Sequence, residues 1–359
     1  MTLQDKLASA GARLSTYRGG ETPASFGDTA AEFRALLDGA AVFDLGWQAK
    51  LVLSGDDRVR WLNGMVTNNV RDLGLNHGNY SFVLNPQGRN LGDLVAYNRG
   101  DYMLVTTDLE QAAKLKELFD QYIIMDDVEV EDISDQLTAI GVAGPKATEI
   151  LITAGLGATA LAPGEVSDPV WQGVGISVAR SVSPQMDGYE IWSTAENVDH
   201  VWDALVAAGA KPVGSDALEL YRIACGVPRY GIDLRERDLP QETGQLHVLN
   251  FAKGCYVGQE IVERIRSRGN VHRVFAGFRV QGAPPVAGAK IHAGEKEVGE
   301  ITCAASVPSC DSEVTLALGY IRREAAAGGS EVRIGAASDA GAGEAEESPA
   351  RIEPLPFVI

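Results

Sequence analysis

Residues 78–97 read Gly78-Asn79-Tyr80-Ser81-Phe82-Val83-Leu84, then Asn85-Pro86-Gln87-Gly88, then Arg89-Asn90-Leu91-Gly92-Asp93, then Leu94-Val95-Ala96-Tyr97. The first and last pieces are apolar, β-rich runs, and Asn-Pro-Gln-Gly between them is a turn. Two strands therefore follow one another with no helix between, which a regular βαβα chain does not do. Hairpins of this kind mixed with packed helices argue for an α+β fold.

The flanking chain supplies the helices. Upstream, Asp28-Thr29 caps a helix over 28–40, with Ala31, Phe33, Leu36 and Leu37 on its apolar face. Strands are expected at Ala41–Leu45 and Lys50–Gly55, and a helix at Asp56–Met65 that ends at Thr67-Asn68-Asn69. Downstream come a strand at Tyr102–Thr106, a helix at Leu109–Phe119 and a strand at Val128–Asp132. A second βα-rich stretch runs from Leu137 to about Gly209 and includes the strand Tyr189–Trp192. Helical pattern returns at Asp216–Arg222 and breaks at Gly226-Val227-Pro228. From Val274 onward the chain turns to short strands and Gly/Pro turns, the texture of a small β-barrel. Residues 335–348 are low-complexity, and a last strand-like piece, Arg351–Phe357, is expected to return to the barrel.

With 359 residues the chain exceeds the usual size of one domain, so two or three structural units are expected. Its net charge of −18 opposes general affinity for nucleic acid, whose phosphates it would repel. No run approaches the eighteen or more apolar residues of a membrane span, and Met1-Thr2-Leu3-Gln4-Asp5-Lys6 lacks the profile of a signal peptide. A cytoplasmic, monomeric protein is the expectation. The four cysteines, Cys225, Cys255, Cys303 and Cys310, form no Cys-x-x-Cys and no disulfide framework. Histidines are too scattered for a metal site.

One cysteine has a setting of its own. In Lys253-Gly254-Cys255-Tyr256-Val257-Gly258-Gln259-Glu260, two glycines bracket Cys255 just before a helical pattern, where the positive end of the dipole favours a thiolate and Lys253 adds to it. The alternative is an ordinary cysteine at a loop–helix junction. Lys253, Arg264, Arg266, Arg268 and Arg273 outnumber Glu260 and Glu263, so the stretch is locally basic. It suits either an anion or a solvated helix with intrahelical pairs.

In this order the pieces resemble the folate-binding superfamily of the glycine cleavage T protein, and within it the YgfZ-type branch. The markers are Phe43-Asp44-Leu45, Leu53-Ser54-Gly55, Leu62 to Val70, Asn85 to Arg89, Asp187 to Ile191, Arg222 to Gly231, Lys253 to Glu260, Gly299 to Thr302 and Leu318-Gly319-Tyr320. The resemblance covers nearly the whole chain. It implies a T-protein-like fold with a folate-binding region at 1–272, built of two interleaved α+β subdomains (about 1–50 with 135–225, and about 51–134 with 226–272). A C-terminal β-barrel at 273–334, a linker at 335–349 and a closing strand at 350–359 would follow.

The resemblance also implies tetrahydrofolate, or a one-carbon-substituted folate, as the bound group. Tyr80 and Tyr97 fall where aromatic rings line the pterin pocket. Asp93 matches the carboxylate beside the pterin ring, Glu190 the acid that receives the pterin's donors, and Arg222 an arginine near the same ligand. An aromatic face and a donor edge do call for aromatic side chains and a carboxylate. Three departures stand out. The loop before Asp93 has a single aspartate, Ser183 replaces a tyrosine ahead of Glu190, and Gly-Gln-Glu follows a cysteine. These departures count against aminomethyl transfer and leave folate binding in place; the candidate catalytic groups are Cys255 with Lys253 beside it and, by the resemblance, Asp93. The expected function is a tetrahydrofolate-binding accessory factor for assembly or repair of iron-sulfur proteins. Those proteins or their assembly machinery would be its partners, and support of tRNA modification would be indirect. The alternative is a folate-dependent aminomethyltransferase.

Overall fold

A computed structural model of the chain describes residues 3–157, 161–269, 271–309, 312–335 and 347–359. Cys310 and most of the low-complexity stretch, residues 336–346, lie outside the described residues. The chain divides into two compact units. One holds Met1–Val83, Gly92–Leu218 and Ala252–Val257; the other holds Leu84–Leu91, Glu219–Phe251 and Gly258–Ile359.

The first unit opens with α1 (Leu3–Ser9) and the hairpin β1 (Arg13–Tyr17) and β2 (Gly20–Ser25), none of which the sequence announces. Then follow α2 (Thr29–Asp38), β3 (Ala41–Asp44), β4 (Gln48–Ser54), α3 (Arg58–Met65), β5 (His77–Leu84), β6 (Asn90–Asn98), β7 (Met103–Asp108), α4 (Leu109–Tyr122) and β8 (Glu129–Asp132). The Asp28 carboxylate caps α2 by accepting from the Ala31 amide, as its sequence position predicts. The second half adds β9 (Thr138–Ala143), α5 (Ala147–Thr153), β10 (Val166–Ser167), β11 (Val170–Trp171), β12 (Val174–Gly175), β13 (Ser177–Arg180), β14 (Gly188–Ser193), α6 (Val198–Ala207) and β15 (Lys211–Pro212), and the chain passes into the second unit within α7 (Ser215–Cys225), at Glu219.

Two sheets result. A six-stranded sheet runs β10-β13-β14-β9-β3-β15, and a five-stranded sheet runs β5-β6-β7-β4-β8. Side chains alternate between the faces of a strand, and the sequence uses both faces. In β6, Leu94 and Ala96 join a core with Leu62, Leu115 and Phe119 from α3 and α4. In β14, Tyr189 and Ile191 join a core with Leu151, Val201 and Trp202 from α5 and α6. The opposite faces of the two sheets share one layer, in which Tyr97 and Leu104 of the five-stranded sheet pack with Ala139, Val166, Ala179 and Trp192 of the six-stranded one.

The strand around Asp93 is longer than the sequence predicts. β6 begins at Asn90 rather than Leu94, so Asp93 sits within a strand and not in a loop. The reason is burial: Asn90 and Gly92 are already enclosed, and pairing is how an enclosed backbone satisfies its amides.

The second unit contains α8 (Gln259–Arg268) and a closed barrel of β16 (Arg273–Val280), β17 (Lys290–Ala293), β18 (Lys296–Pro308), β19 (Glu313–Arg322), β20 (Glu331–Ile334) and β21 (Ser348–Glu353), in the order β16-β19-β18-β17-β20-β21. β21 pairs with β16 and β20 and closes it. Phe278, Ile291, Ile301, Ile321, Val332 and Ile352 fill its interior. Among the described residues no helix is long and apolar enough to cross a membrane.

Gly78 of β5 lies flat against the Tyr97 ring; a Cβ there would come within 2.3 Å of it. Gly78→Ala must therefore displace Tyr97 in the shared layer. A cost of about 1–3 kcal/mol is expected, read as a lower urea midpoint at an unchanged denaturant slope.

Candidate functional site

The shared layer of the first unit changes character along its length. Pairing of β4 with β7 sets Val52 against Leu104, Lys50 against Thr106 and Gln48 against Asp108. Pairing of β6 with β7 adds Tyr97 beside Leu104 and Val95 beside Thr106. One end is thus apolar and aromatic; the other is polar and charged.

Asp93 lies at the polar end. Its Oδ2 accepts from the Tyr80 hydroxyl, and its Oδ1 accepts from Gln111 Nε2 at 2.6 Å. Gln111 returns its own oxygen to the Asp93 amide at 3.1 Å, and Thr107 donates to the Asp93 carbonyl at 2.8 Å. Burial, reinforced by Asp108, pushes the Asp93 carboxyl up to about 6, while Tyr80, Gln111 and Arg18 pull it down. Burial and Asp93 keep the Tyr80 phenol protonated. A carboxyl that changes charge close to neutral pH can hold or release a proton at working pH.

Across the layer, β14 presents Glu190 and Trp192. Glu190 Oε1 accepts from Gln48 Nε2 at 3.1 Å and Oε2 from Trp192 Nε1 at 2.9 Å, so both oxygens are oriented and each keeps a further lone pair. Trp192 meets Tyr97 edge to face at 4.9 Å between centroids. Lys50, 0% exposed, donates to the Gln48 carbonyl at 3.0 Å. Burial pushes its ammonium down to about 8 against the opposing pull of Glu190 and Asp44.

Lys253 and Cys255 sit in the Ala252–Val257 segment of the same unit. The Lys253 ammonium is buried and donates to the carbonyls of Asn63, Val66 and Asn68, each at 2.6 Å. These oxygens belong to the C-terminal end of α3 and the turn after it, where helix carbonyls lack partners and a cation is favoured. Burial, with a smaller push from Arg71, brings the ammonium down to about 7. The same turn carries the site: Thr67 exchanges bonds with Phe82, and Asn68 Nδ2 donates to the Tyr80 carbonyl at 3.0 Å. Lys253 thus braces the strand that holds Tyr80. Cys255 is exposed. Among the described residues no group of three His, Cys, Asp or Glu is arranged to hold a metal.

The structure therefore joins Tyr80 to Asp93 directly, Tyr97 to Glu190 through Trp192, and Lys253 to Tyr80 through Asn68. Arg222 belongs to the second unit and is 2% exposed. All five of its N–H groups are engaged there: with Glu219 at 3.0 and 2.9 Å, the Val227 carbonyl and Asp233 at 2.7 Å, and Cys303 Sγ at 3.4 Å. Asp233, fully buried, also accepts from Thr302 and from the Arg229 amide. Burial, reinforced by Asp233, raises the Cys303 thiol to about 12, and burial raises Cys225 to about 11. On the basic helix Arg266 lies 3.5 Å from Glu263 and over the Phe251 ring; the Arg268 side chain lies outside the described residues.

Sequence reasoning missed Gln48, Lys50, Asp108, Gln111 and Arg18. Lys50 did leave a signal, because in Lys50-Leu51-Val52-Leu53 it shares the parity of Val52 and must point where Val52 points. The others carried none, since their partners lie 18 or more residues away.

Residues 3–253 match the GCVT N-terminal domain. An aminomethyltransferase of Rubrobacter xylanophilus is 29% identical over 358 residues, covering 99% of this chain and 93% of the relative. One of Geobacillus kaustophilus is 27% identical over 98% of this chain and 96% of its own. Among solved structures, the glycine cleavage system aminomethyltransferase T of Bartonella henselae superposes with a TM-score of 0.86 at 20% identity, over all of this chain and 97% of its own. The fold is therefore the T-protein fold.

Two outcomes follow from the geometry. Arg222→Met leaves Asp233 charged, buried and short of its main partner, so a loss of about 3–5 kcal/mol in unfolding free energy is expected by urea titration. For Asp93 the sign is fixed by its raised value. An aspartate near 6 when folded and about 3.9 when unfolded binds its proton more tightly in the fold. Its contribution is whole below about pH 4 and lost as pH rises through 6. From pH 4 to pH 8 the parent should therefore lose about 1–3 kcal/mol of stability relative to Asp93→Asn, measured as urea midpoints at both ends.

Proposed function

Because the chain belongs to the GCVT N-terminal domain family, we propose that it is a folate-dependent one-carbon transferase of the aminomethyltransferase type. The observation that carries this reading is the shared layer of the first unit. There a buried carboxyl poised near neutrality, Asp93, stands in one side-chain layer with an oriented carboxylate, Glu190, and the aromatic pair Tyr97 and Trp192. The curated relatives with aminomethyltransferase names span nearly their whole length in this chain, and they move the weight from the iron-sulfur reading to this one.

The residues present fit a reduced folate. Glu190 keeps lone pairs for the donor edge of a pterin, and the buried rings of Tyr97 and Trp192 form the aromatic backing beside it. Bound folate would supply the nitrogens that carry a one-carbon unit. The chain's part is to orient the ring and to manage one proton. Tyr80 and Gln111 hold the Asp93 carboxylate by one oxygen each, so its remaining lone pairs face a fixed direction. With a value near 6 it can take up a proton from an amine and return it without a large free-energy step in either direction. Gln48 keeps Glu190 aligned, and Lys253 keeps the Tyr80 strand in place from the α3 turn. Arg222, whose donors are all engaged, enters as a brace of its own unit rather than as a ligand contact.

A second reading keeps the YgfZ-type role in iron-sulfur protein maintenance, with Cys255 as the working group. Its support is the exposed thiol in Lys-Gly-Cys-Tyr-Val-Gly-Gln-Glu. One assay separates the two. With an aminomethyl-loaded lipoyl carrier protein and tetrahydrofolate, methylene-tetrahydrofolate should form. Asp93→Asn should slow it by about 100-fold or more, and Cys255→Ala should leave it essentially unchanged. No product from the parent protein, together with loss of iron-sulfur enzyme activities in cells carrying only Cys255→Ala, would reverse the order of the readings.

A further inference from the structure

We propose that Arg18 and Asp108 form a positioning pair that governs the charge state of Asp93, one carboxylate and one guanidinium acting on it with opposite sign. The inference deepens the reading of Asp93 given above and rests on it for its functional meaning.

Asp108 occupies the N-cap of α4, where an aspartate normally accepts from the first amides of its own helix. It makes no such bond. The cap is supplied by main chain from elsewhere: the Leu109 amide donates to the Trp47 carbonyl at 2.9 Å and the Glu110 amide to the Arg18 carbonyl at 3.1 Å. The Asp108 carboxylate is thereby released from capping, and both its oxygens lie 3.3 Å from Arg18 Nη1.

Arg18 is held for this contact at some cost. It sits at the tip of the β1–β2 hairpin with φ 49°, left-handed backbone that disfavours a residue with a Cβ by about 1–2 kcal/mol. Gly19 beside it has φ 89°, and a Cβ there would lie 2.6 Å from the Glu110 nitrogen, so the tip is pressed onto the start of α4. The guanidinium lies over two rings, 5.2 Å from the centroid of Tyr17 and 4.7 Å from that of Trp47. Two aromatic faces, a strained turn and a borrowed helix cap all converge on one ion pair.

The groups that act on Asp93 come from every neighbouring element: Tyr80 from β5, the neutral amide of Gln111 from α4, Asp108 from the β7–α4 junction and Arg18 from the hairpin tip. Among the described residues that act on it, the last two are the charged ones. Asp108 disfavours the Asp93 carboxylate and Arg18 favours it. The β6–β7 register that sets Val95 against Thr106 brings Asp93 towards Asp108, and Thr107 donates to the Asp93 carbonyl at 2.8 Å, so the pair lies beside the carboxyl it acts on. Burial weighs most on Asp93, Asp108 adds to it, and Arg18 opposes both with a smaller effect.

The test is the titration of Asp93 itself, followed by its side-chain carboxyl 13C resonance in the full chain and assigned by its absence in Asp93→Asn. Asp108→Asn should lower the midpoint and Arg18→Met should raise it, by less than Asp108→Asn lowers it, with the double variant between them. A residue that merely shapes the site would move both midpoints the same way, and that result overturns the proposal, as does a midpoint that neither variant moves. If Arg18→Met does not fold, Arg18→Lys, which keeps a charge on a different head group, and Asp108→Asn alone still decide. The measurement needs no folate. A chain that titrates as expected but forms no methylene-tetrahydrofolate would sink the proposed function and leave this pair standing.

Discussion

The constraint on which the first unit depends is the two-residue alternation of its strands. β6 and β14 each send one set of side chains into a helix-backed core and the other into the layer shared by the two sheets. Leu94 and Ala96 anchor one side of β6 while Asp93, Val95 and Tyr97 line the other; Tyr189 and Ile191 do the same for Glu190 and Trp192. The chemistry-bearing residues are therefore fixed by the apolar residues between them. Placing a carboxyl there costs desolvation, and the raised value of Asp93 expresses that cost.

Much of the architecture was legible because it is local. The Asn85–Gly88 turn, the Asp28 cap and the change of texture at Val274 are short-range signals, and each corresponds to an element found. α1 and the β1–β2 hairpin were not legible. Arg13–Ser25 has neither strong alternation nor a familiar turn pair, and its order comes from pressing onto Trp47 and α4. The start of β6 was misplaced for a related reason, since Asn90 and Gly92 look like turn residues until they are seen to be buried.

The candidate site divides along the same line. Tyr80, Asp93, Tyr97 and Glu190 were reached through resemblance to a family, and the structure sets them in one layer. Lys253 was read as an activator of Cys255, yet its ammonium is occupied by three carbonyls of the α3 end, a partnership that spans nearly two hundred residues of sequence. Arg222 was read as a ligand contact, and its engagement with Glu219, Asp233 and Cys303 joins segments that no local pattern relates. Long-range polar networks are invisible to periodicity because they obey charge and hydrogen-bond valence instead.

The borrowed cap of α4 has a consequence for motion. The two carbonyls that close the helix come from Arg18 at the hairpin tip and Trp47 at the entry to β4. Small terminal hairpins sit at the low end of the local stability range and open without global unfolding. Each such opening would take away one of the two carbonyls that cap α4, that of Arg18, while Trp47 keeps the other, and would draw the Arg18 guanidinium away from Asp108. Order in the amino-terminal hairpin would thus bear on proton uptake some seventy-five residues away, because Arg18 is one of the groups that act on Asp93.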